Sequence, residues 1–209
     1  MDPLSAEHEG ILCVVSGPSG CGKTTLCRRA AELEGIYYTV SCTTRAMRPG
    51  EADGRDYFFL TADDFAQRVK EGEFLEHAEV HGRSYGTLRS EVMDRLAGGQ
   101  DVVMDLDVQG AAQLRASTDP LVRRALVDVF ILTDNLDALE ARLAGRRSET
   151  PAQLALRLEN ARVEMRHWKE YSYTITSRTR EEDITAFRAI LAAERLRSRR
   201  LAPSILQAL

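Results

Sequence analysis

Residues 17–24 read GPSGCGKT, a glycine-rich stretch that ends in Lys23 and Thr24. The spacing GxxxxGK[ST] belongs to loops whose main-chain N–H groups wrap phosphate oxygens. Gly17, Gly20 and Gly22 free the backbone around Pro18, Ser19 and Cys21 for conformations closed to residues with a Cβ, so successive amides turn inward. A helix starting at the end of the loop adds its positive dipole. In that geometry Lys23 reaches the β- and γ-phosphates of a nucleoside triphosphate, and the Thr24 hydroxyl coordinates Mg2+. GTPases, ATPases, helicases and kinases all share the loop, so the second reactant has to be read elsewhere.

Residues 41–57 read SCTTRAMRPGEADGRDY. Arg45 and Arg48 stand three apart where Pro49, Gly50 and Gly54 imply extended or turning backbone. Guanidinium forks bind phosphate through paired hydrogen bonds, and two of them beside Tyr57 make a seat for a monophosphate. On this segment alone, two solvated surface arginines fit equally well. Glu76 is an acid inside the otherwise apolar strand candidate FLEHAEV, with Tyr85 and Thr87 following in YGT. A carboxylate accepts from the N1–H and exocyclic amine of guanine, a donor pair that adenine does not present, and Ser or Thr hydroxyls donate to O6. An ordinary edge-strand charge is the alternative for Glu76. Asp105 and Asp107 close the run DVVMDLD. Acids at the carboxyl end of a parallel strand face the ligand crevice, where one holds magnesium with its waters and the other touches the acceptor.

The elements that must position these groups alternate. Ile11 to Ser16 (ILCVVS) is a β-branched apolar run, and Gly22 to Leu33 has helical spacing with Leu26, Ala30 and Leu33 apolar. Asp101 to Leu106, Leu126 to Leu132 and Tyr173 to Thr176 are further buried-strand candidates, each followed by helix-compatible sequence. An α/β fold of the P-loop NTPase type is expected, a mostly parallel sheet flanked by helices on both faces. Tyr57 to Leu60, Phe74 to Val80 and Ser84 to Thr87 read as an inserted small mixed sheet. Residues 142–157 carry Gly145, the closely spaced Arg142, Arg146 and Arg147, and a helix start at Thr150 with Pro151 first, the pattern of a helical lid. Residues 181–200 form a charged helical segment with Ile184, Phe187, Ile190 and Leu191 for docking.

The 209 residues are 44% hydrophobic, enough for one substantial core. The 28 basic and 32 acidic side chains leave a formal charge of −4, which argues against a general nucleic-acid binder. No apolar run approaches the roughly 18 residues of a membrane span, and Met1 to Gly10 lacks the basic start and apolar middle of a signal peptide. A cytoplasmic protein without a membrane partner is expected. Cys13, Cys21, Cys27 and Cys42 show no paired spacing, which speaks against a zinc site or a disulfide framework. Cys21, beside Lys23, is either a small loop filler or a thiolate poised for redox chemistry. His8, His77, His81 and His167 have no evident role.

GPSGCGKT, SCTTRAMRPGEADGRDY, FLEHAEVHGRSYGT, DVVMDLDVQG and the arginine-bearing segment after residue 142 together resemble guanylate kinase over nearly the whole chain. The resemblance implies a core (1–40, 95–141 and 159–209), a GMP-binding segment (41–94) and a lid (142–158) that close over two nucleotides. It implies transfer of a phosphoryl group from ATP to GMP, and to dGMP, with Mg2+ as cofactor. Arg45, Arg48, Tyr57 and Tyr85 then match the clamp for the GMP phosphate. Ser41, Glu76, Thr87 and Asp107 match the guanine readers, and Arg146 and Arg157 match the lid arginines that embrace the transferring group with Arg48. Two departures stand out. Ser177 and Arg178 occupy the place of an Asn-Asp pair near the adenine, and Ala46 and Met47 lie where a proline commonly precedes the second arginine. A peptide-binding scaffold module of the same family is one rival, opposed by the intact Lys23, Thr24, Arg146 and Arg157. A relative acting on another phosphorylated acceptor is the other, opposed by Ser41, Glu76, Thr87 and Asp107.

Overall fold

The computed structural model describes residues 10–80, 82–133, 139–140 and 151–200. In chain order the strands are β1 (Leu12–Ser16), β2 (Tyr37–Tyr38), β3 (Cys42–Thr43), β4 (Phe58–Phe59), β5 (Phe74–Val80), β6 (Arg83–Leu88), β7 (Val102–Asp105), β8 (Leu126–Thr133) and β9 (Tyr173–Ser177). The helices are α1 (Lys23–Glu34), α2 (Ala62–Lys70), α3 (Arg89–Ala97), α4 (Val108–Arg115), α5 (Pro120–Ala125), α6 (Pro151–Met165) and α7 (Arg180–Arg195).

The larger sheet has five strands in the order β2-β7-β1-β8-β9, all parallel. Its central strand explains why residues 11–15 are apolar without alternation. Ile11, Cys13 and Val15 pack with Leu26, Cys27 and Ala30 of α1 and with Ile184, Phe187 and Leu191 of α7. Leu12 and Val14 point the other way, onto Val92 and Leu96 of α3, Ala111 and Leu114 of α4 and Val122 of α5. A strand buried on both faces needs an apolar residue at every position. Leu33, which spacing puts on the Leu26 face, is 54% exposed, so the buried stripe of α1 ends at Ala30.

The smaller sheet has four strands in the order β4-β3-β6-β5. β3 runs parallel to β4 and antiparallel to β6, which is antiparallel to β5. It has its own small core, where Cys42, Phe65 and Phe74 are buried together and the Phe65 and Phe74 rings stack at 4.5 Å. Phe65 is delivered by α2, whose first turn is capped when the Thr61 hydroxyl accepts the Asp64 N–H at 3.1 Å. α3 runs continuously through residue 94 and α6 through residue 158, so neither expected boundary falls at the end of a helix. No described helix is long and apolar enough to cross a membrane.

Candidate active site

The carboxyl ends of β1 and β7 and the inner face of the mixed sheet border one cavity of about 550 Å³. Of the residues singled out in the sequence, Gly17, Ser19, Gly20, Cys21, Gly22, Lys23, Thr24, Ser41, Arg45, Arg48, Tyr57, Glu76, Tyr85, Asp105, Asp107 and Arg157 line it. Pro18 and Thr87 stand just behind the lining. Arg146 and the Thr150 helix cap lie outside the described residues, as do His8 and His81.

At one end the chain leaves β1 through Gly17, whose φ is 149°. A Cβ there would meet the Ile131 carbonyl oxygen at 2.5 Å and Cys21 Sγ at 3.0 Å, so no side chain fits against β8. The Cys21 N–H donates to the Pro18 carbonyl at 3.2 Å to close the turn. Lys23 Nζ folds back and donates to the carbonyls of Gly17 at 2.6 Å and Pro18 at 3.0 Å. The Thr24 hydroxyl donates to Asp105 Oδ2 at 2.5 Å, and the Tyr38 hydroxyl donates to Asp105 Oδ1 at 3.0 Å. Burial pushes the Asp105 carboxyl above the usual carboxylate range, while the hydrogen bond from Thr24 and the Lys23 charge pull it back. Cys21 is 2% exposed and packed with Cys13 and Cys27, so its thiol fills space in the core.

Two further groups at this end went unread in the sequence. Tyr38, from the two-residue strand β2, orients Asp105. Glu164 of α6 accepts the Ser19 N–H at 3.2 Å, so a carboxylate rests on an amide of the phosphate loop. Nothing local in the sequence announces either contact.

At the other end, Arg45 makes two hydrogen bonds to Glu51, at 2.8 and 3.0 Å, and its guanidinium lies 5.4 Å from the centre of the Tyr57 ring. The Tyr57 and Tyr85 rings meet edge to face at 6.0 Å. Glu51 also accepts the Arg48 N–H at 2.8 Å, and the hydrogen bond from Arg45 holds its carboxyl below the ordinary range. Glu51 thus fixes the loop that carries both arginines. An acid at this spacing in RAMRPGE was the available signal. Burial pushes the Tyr57 hydroxyl up to about 12, keeping it a neutral donor.

Glu76 is 4% exposed, so the edge-strand reading of this residue is wrong for its side chain. It takes hydrogen bonds from Thr87, whose hydroxyl lies 3.1 Å from that of Ser41. Burial raises the Glu76 carboxyl to about 7, the Asp107 charge adds to this and the Thr87 hydrogen bond opposes it. Asp107 caps α4 by accepting the Gly110 N–H at 2.8 Å. Gly110 leaves room for the Glu76 carboxylate, since a Cβ there would lie 2.6 Å from Glu76 Oε2 and push it aside. Ser177 and Arg178 reach the same cavity from the end of β9, and the Ser177 hydroxyl donates to Asp183 Oδ2 at 2.7 Å.

A glycine loop between a parallel strand and a helix, opening on the same cavity as an arginine-tyrosine clamp, defines the class of P-loop kinases that act on small phosphorylated acceptors. The guanylate kinase family model matches residues 10–194, and the chain belongs to that family. It is 43% identical over 197 residues to a guanylate kinase of Paramagnetospirillum magneticum, covering 94% of this chain and 90% of the relative. With a guanylate kinase of Clostridium perfringens it shares 39% over 209 residues, 99% of this chain and 94% of the other. The crystal structure of guanylate kinase from Anaplasma phagocytophilum superimposes with a TM-score of 0.78 at 32% identity, covering 93% of this chain and 91% of that one.

Proposed function

We propose that the chain transfers the terminal phosphoryl group of ATP to GMP, producing ADP and GDP. The observation that carries this reading is that two anion seats open into one cavity, the loop from Gly17 to Thr24 and the cluster of Arg45, Arg48, Tyr57 and Tyr85, with a buried acid, Glu76, beyond the second. Peptide binding by a scaffold module requires neither seat.

Phosphoryl transfer needs little covalent help from a protein, because charge spreads over the equatorial oxygens and the work is positioning and neutralisation. The attacking atom is a phosphate oxygen of GMP. Lys23, on swinging off the Gly17 and Pro18 carbonyls, holds the donor phosphates. Arg48, Arg157 and Arg146 supply positive charge where the two nucleotides meet. Glu76 accepts from N1–H and the 2-amine of guanine, Ser41 adds a hydroxyl to the lining with Thr87 buried behind it, and Asp107 faces the same base. The Thr24 hydroxyl and the Asp105 carboxylate are hard oxygen donors side by side at the mouth of the loop, which fits Mg2+ held partly through water. Bound Mg2+ neutralises charge on the donor phosphates.

Calorimetric titration with adenosine and guanosine joined through five phosphates tests the single cavity. One binding event per chain, tighter than ATP or GMP alone, is expected. Two independent weak events, or displacement by GMP but not by ATP, would contradict a shared site.

A further inference from the structure

β5 is an edge strand of the mixed sheet, and part of its outer edge is occupied by side chains of α4. Gln113 Oε1 accepts the His77 N–H at 3.1 Å, and Gln113 Nε2 donates to the His77 carbonyl at 2.6 Å. One side-chain amide thereby serves both main-chain groups of a residue, as a neighbouring strand would. Its orientation is fixed, since the flipped amide would set donor against donor and acceptor against acceptor. One turn earlier, Gln109 Nε2 lies 3.5 Å from the Glu79 carbonyl and 3.3 Å from Asp107 Oδ2. Four residues of helix rise roughly 6 Å and two residues of strand roughly 6.8 Å, so the two glutamines match alternate residues of β5. The other set of alternate residues, Glu76, Ala78 and Val80, faces the cavity. Gly110 sits between the two glutamines and leaves the gap that Glu76 Oε2 enters.

We propose that Gln113, supported by Gln109, is a positioning residue for recognition of the acceptor base. It fixes the height of β5 on α4, and with it the place of the Glu76 carboxylate against Gly110 and Asp107. The inference rests on the reading of Glu76 as the guanine acceptor given above. A slip of β5 along α4 breaks both hydrogen bonds of Gln113 at once, which makes the register an all-or-none property of this contact.

The test is steady-state kinetics of Gln113→Met, which keeps length without polar atoms, and of Gln113→Glu, which keeps only the acceptor for His77 N–H. Both are expected to raise KM for GMP, by about tenfold for Gln113→Met, with KM for ATP unchanged. The preference for GMP over IMP, which lacks the 2-amine, should fall in parallel. In a Glu76→Gln background, Gln113→Met should add nothing further to KM for GMP, because the lost register acts through Glu76. Fully additive effects, or an unaltered preference for GMP over IMP in the folded single variants, overturn the proposal. If Glu76→Gln alone leaves KM for GMP unchanged, the reading of Glu76 falls first and the positioning role falls with it.

Discussion

Lys23 already points at the loop it serves, held by the carbonyls of Gly17 and Pro18 at 2.6 and 3.0 Å. On the proposed role, removing it costs a charged contact to the transferring group, and Lys23→Ala is expected to lower kcat/KM about a hundredfold or more. GMP binding, measured by calorimetry, should stay near wild type, and near-normal turnover would sink the assignment. In the proposed mechanism Glu76 carries the pH dependence of GMP binding. Guanine's two donors need its ionised form, and the carboxyl sits at about 7 in the free protein, so GMP binding should tighten from pH 6 to pH 8 and then level off. The folded value lies above the ordinary 4.5, so ionising Glu76 costs stability, and its contribution to folding declines as pH rises between those two values. The GMP phosphate titrates near pH 6. Comparing KM for GMP against pH in wild type and Glu76→Gln removes that common effect, and identical profiles would place Glu76 outside the recognition step. At this scale the phosphate loop was legible because its parts are contiguous. Glu164 and Tyr38 were not, since each meets its partner only after distant elements pack.

Among elements, α4 joins structure to recognition most tightly. Asp107 caps it, Gly110 admits Glu76 and Gln113 holds β5. Gly110→Ala separates these effects. An alanine in a helix is worth up to about 1 kcal/mol more than a glycine, yet its Cβ would stand 2.6 Å from Glu76 Oε2. A thermal midpoint equal to or above wild type, combined with a KM for GMP raised by about tenfold, is expected. Unchanged GMP kinetics would show that Glu76 does not need this gap. Strands β1, β7 and β8 of the parallel sheet were readable from apolar runs, and β5 and β6 as candidates for an inserted small mixed sheet. β2 and β3, of two residues each, carry no periodicity and exist because neighbouring strands pair with them. The helix expected to begin at Glu181 starts one residue earlier, after Thr179. The unread signal was T-x-x-E, since Thr179 forms a capping box with Glu182, whose side chain reaches back to the Thr179 N–H at 3.2 Å.

For the whole molecule, the sheet of five parallel strands and the mixed sheet divide the work. The first supplies the phosphate loop and Asp105, and the second supplies Arg45, Tyr85, Glu76 and the walls around them. The two parts meet through both apolar and polar contacts, and Leu75 of β5 packs on the core cluster that holds Leu12 and Val14. Besides the Gln113 amide, Arg28 of α1 pairs with Asp56 at 2.8 Å, an ion pair whose arginine is half exposed and whose net worth is small. Both polar contacts were hidden in the sequence because neither glutamine nor a lone Asp-Arg pair marks a joint without the fold. The most direct measurement is the rate of ADP formation from ATP and Mg2+ with GMP, dGMP, AMP, CMP or UMP as the sole acceptor. Turnover with GMP and dGMP far above the other three is the expected result, and turnover with none of them, or faster with AMP than with GMP, would contradict it.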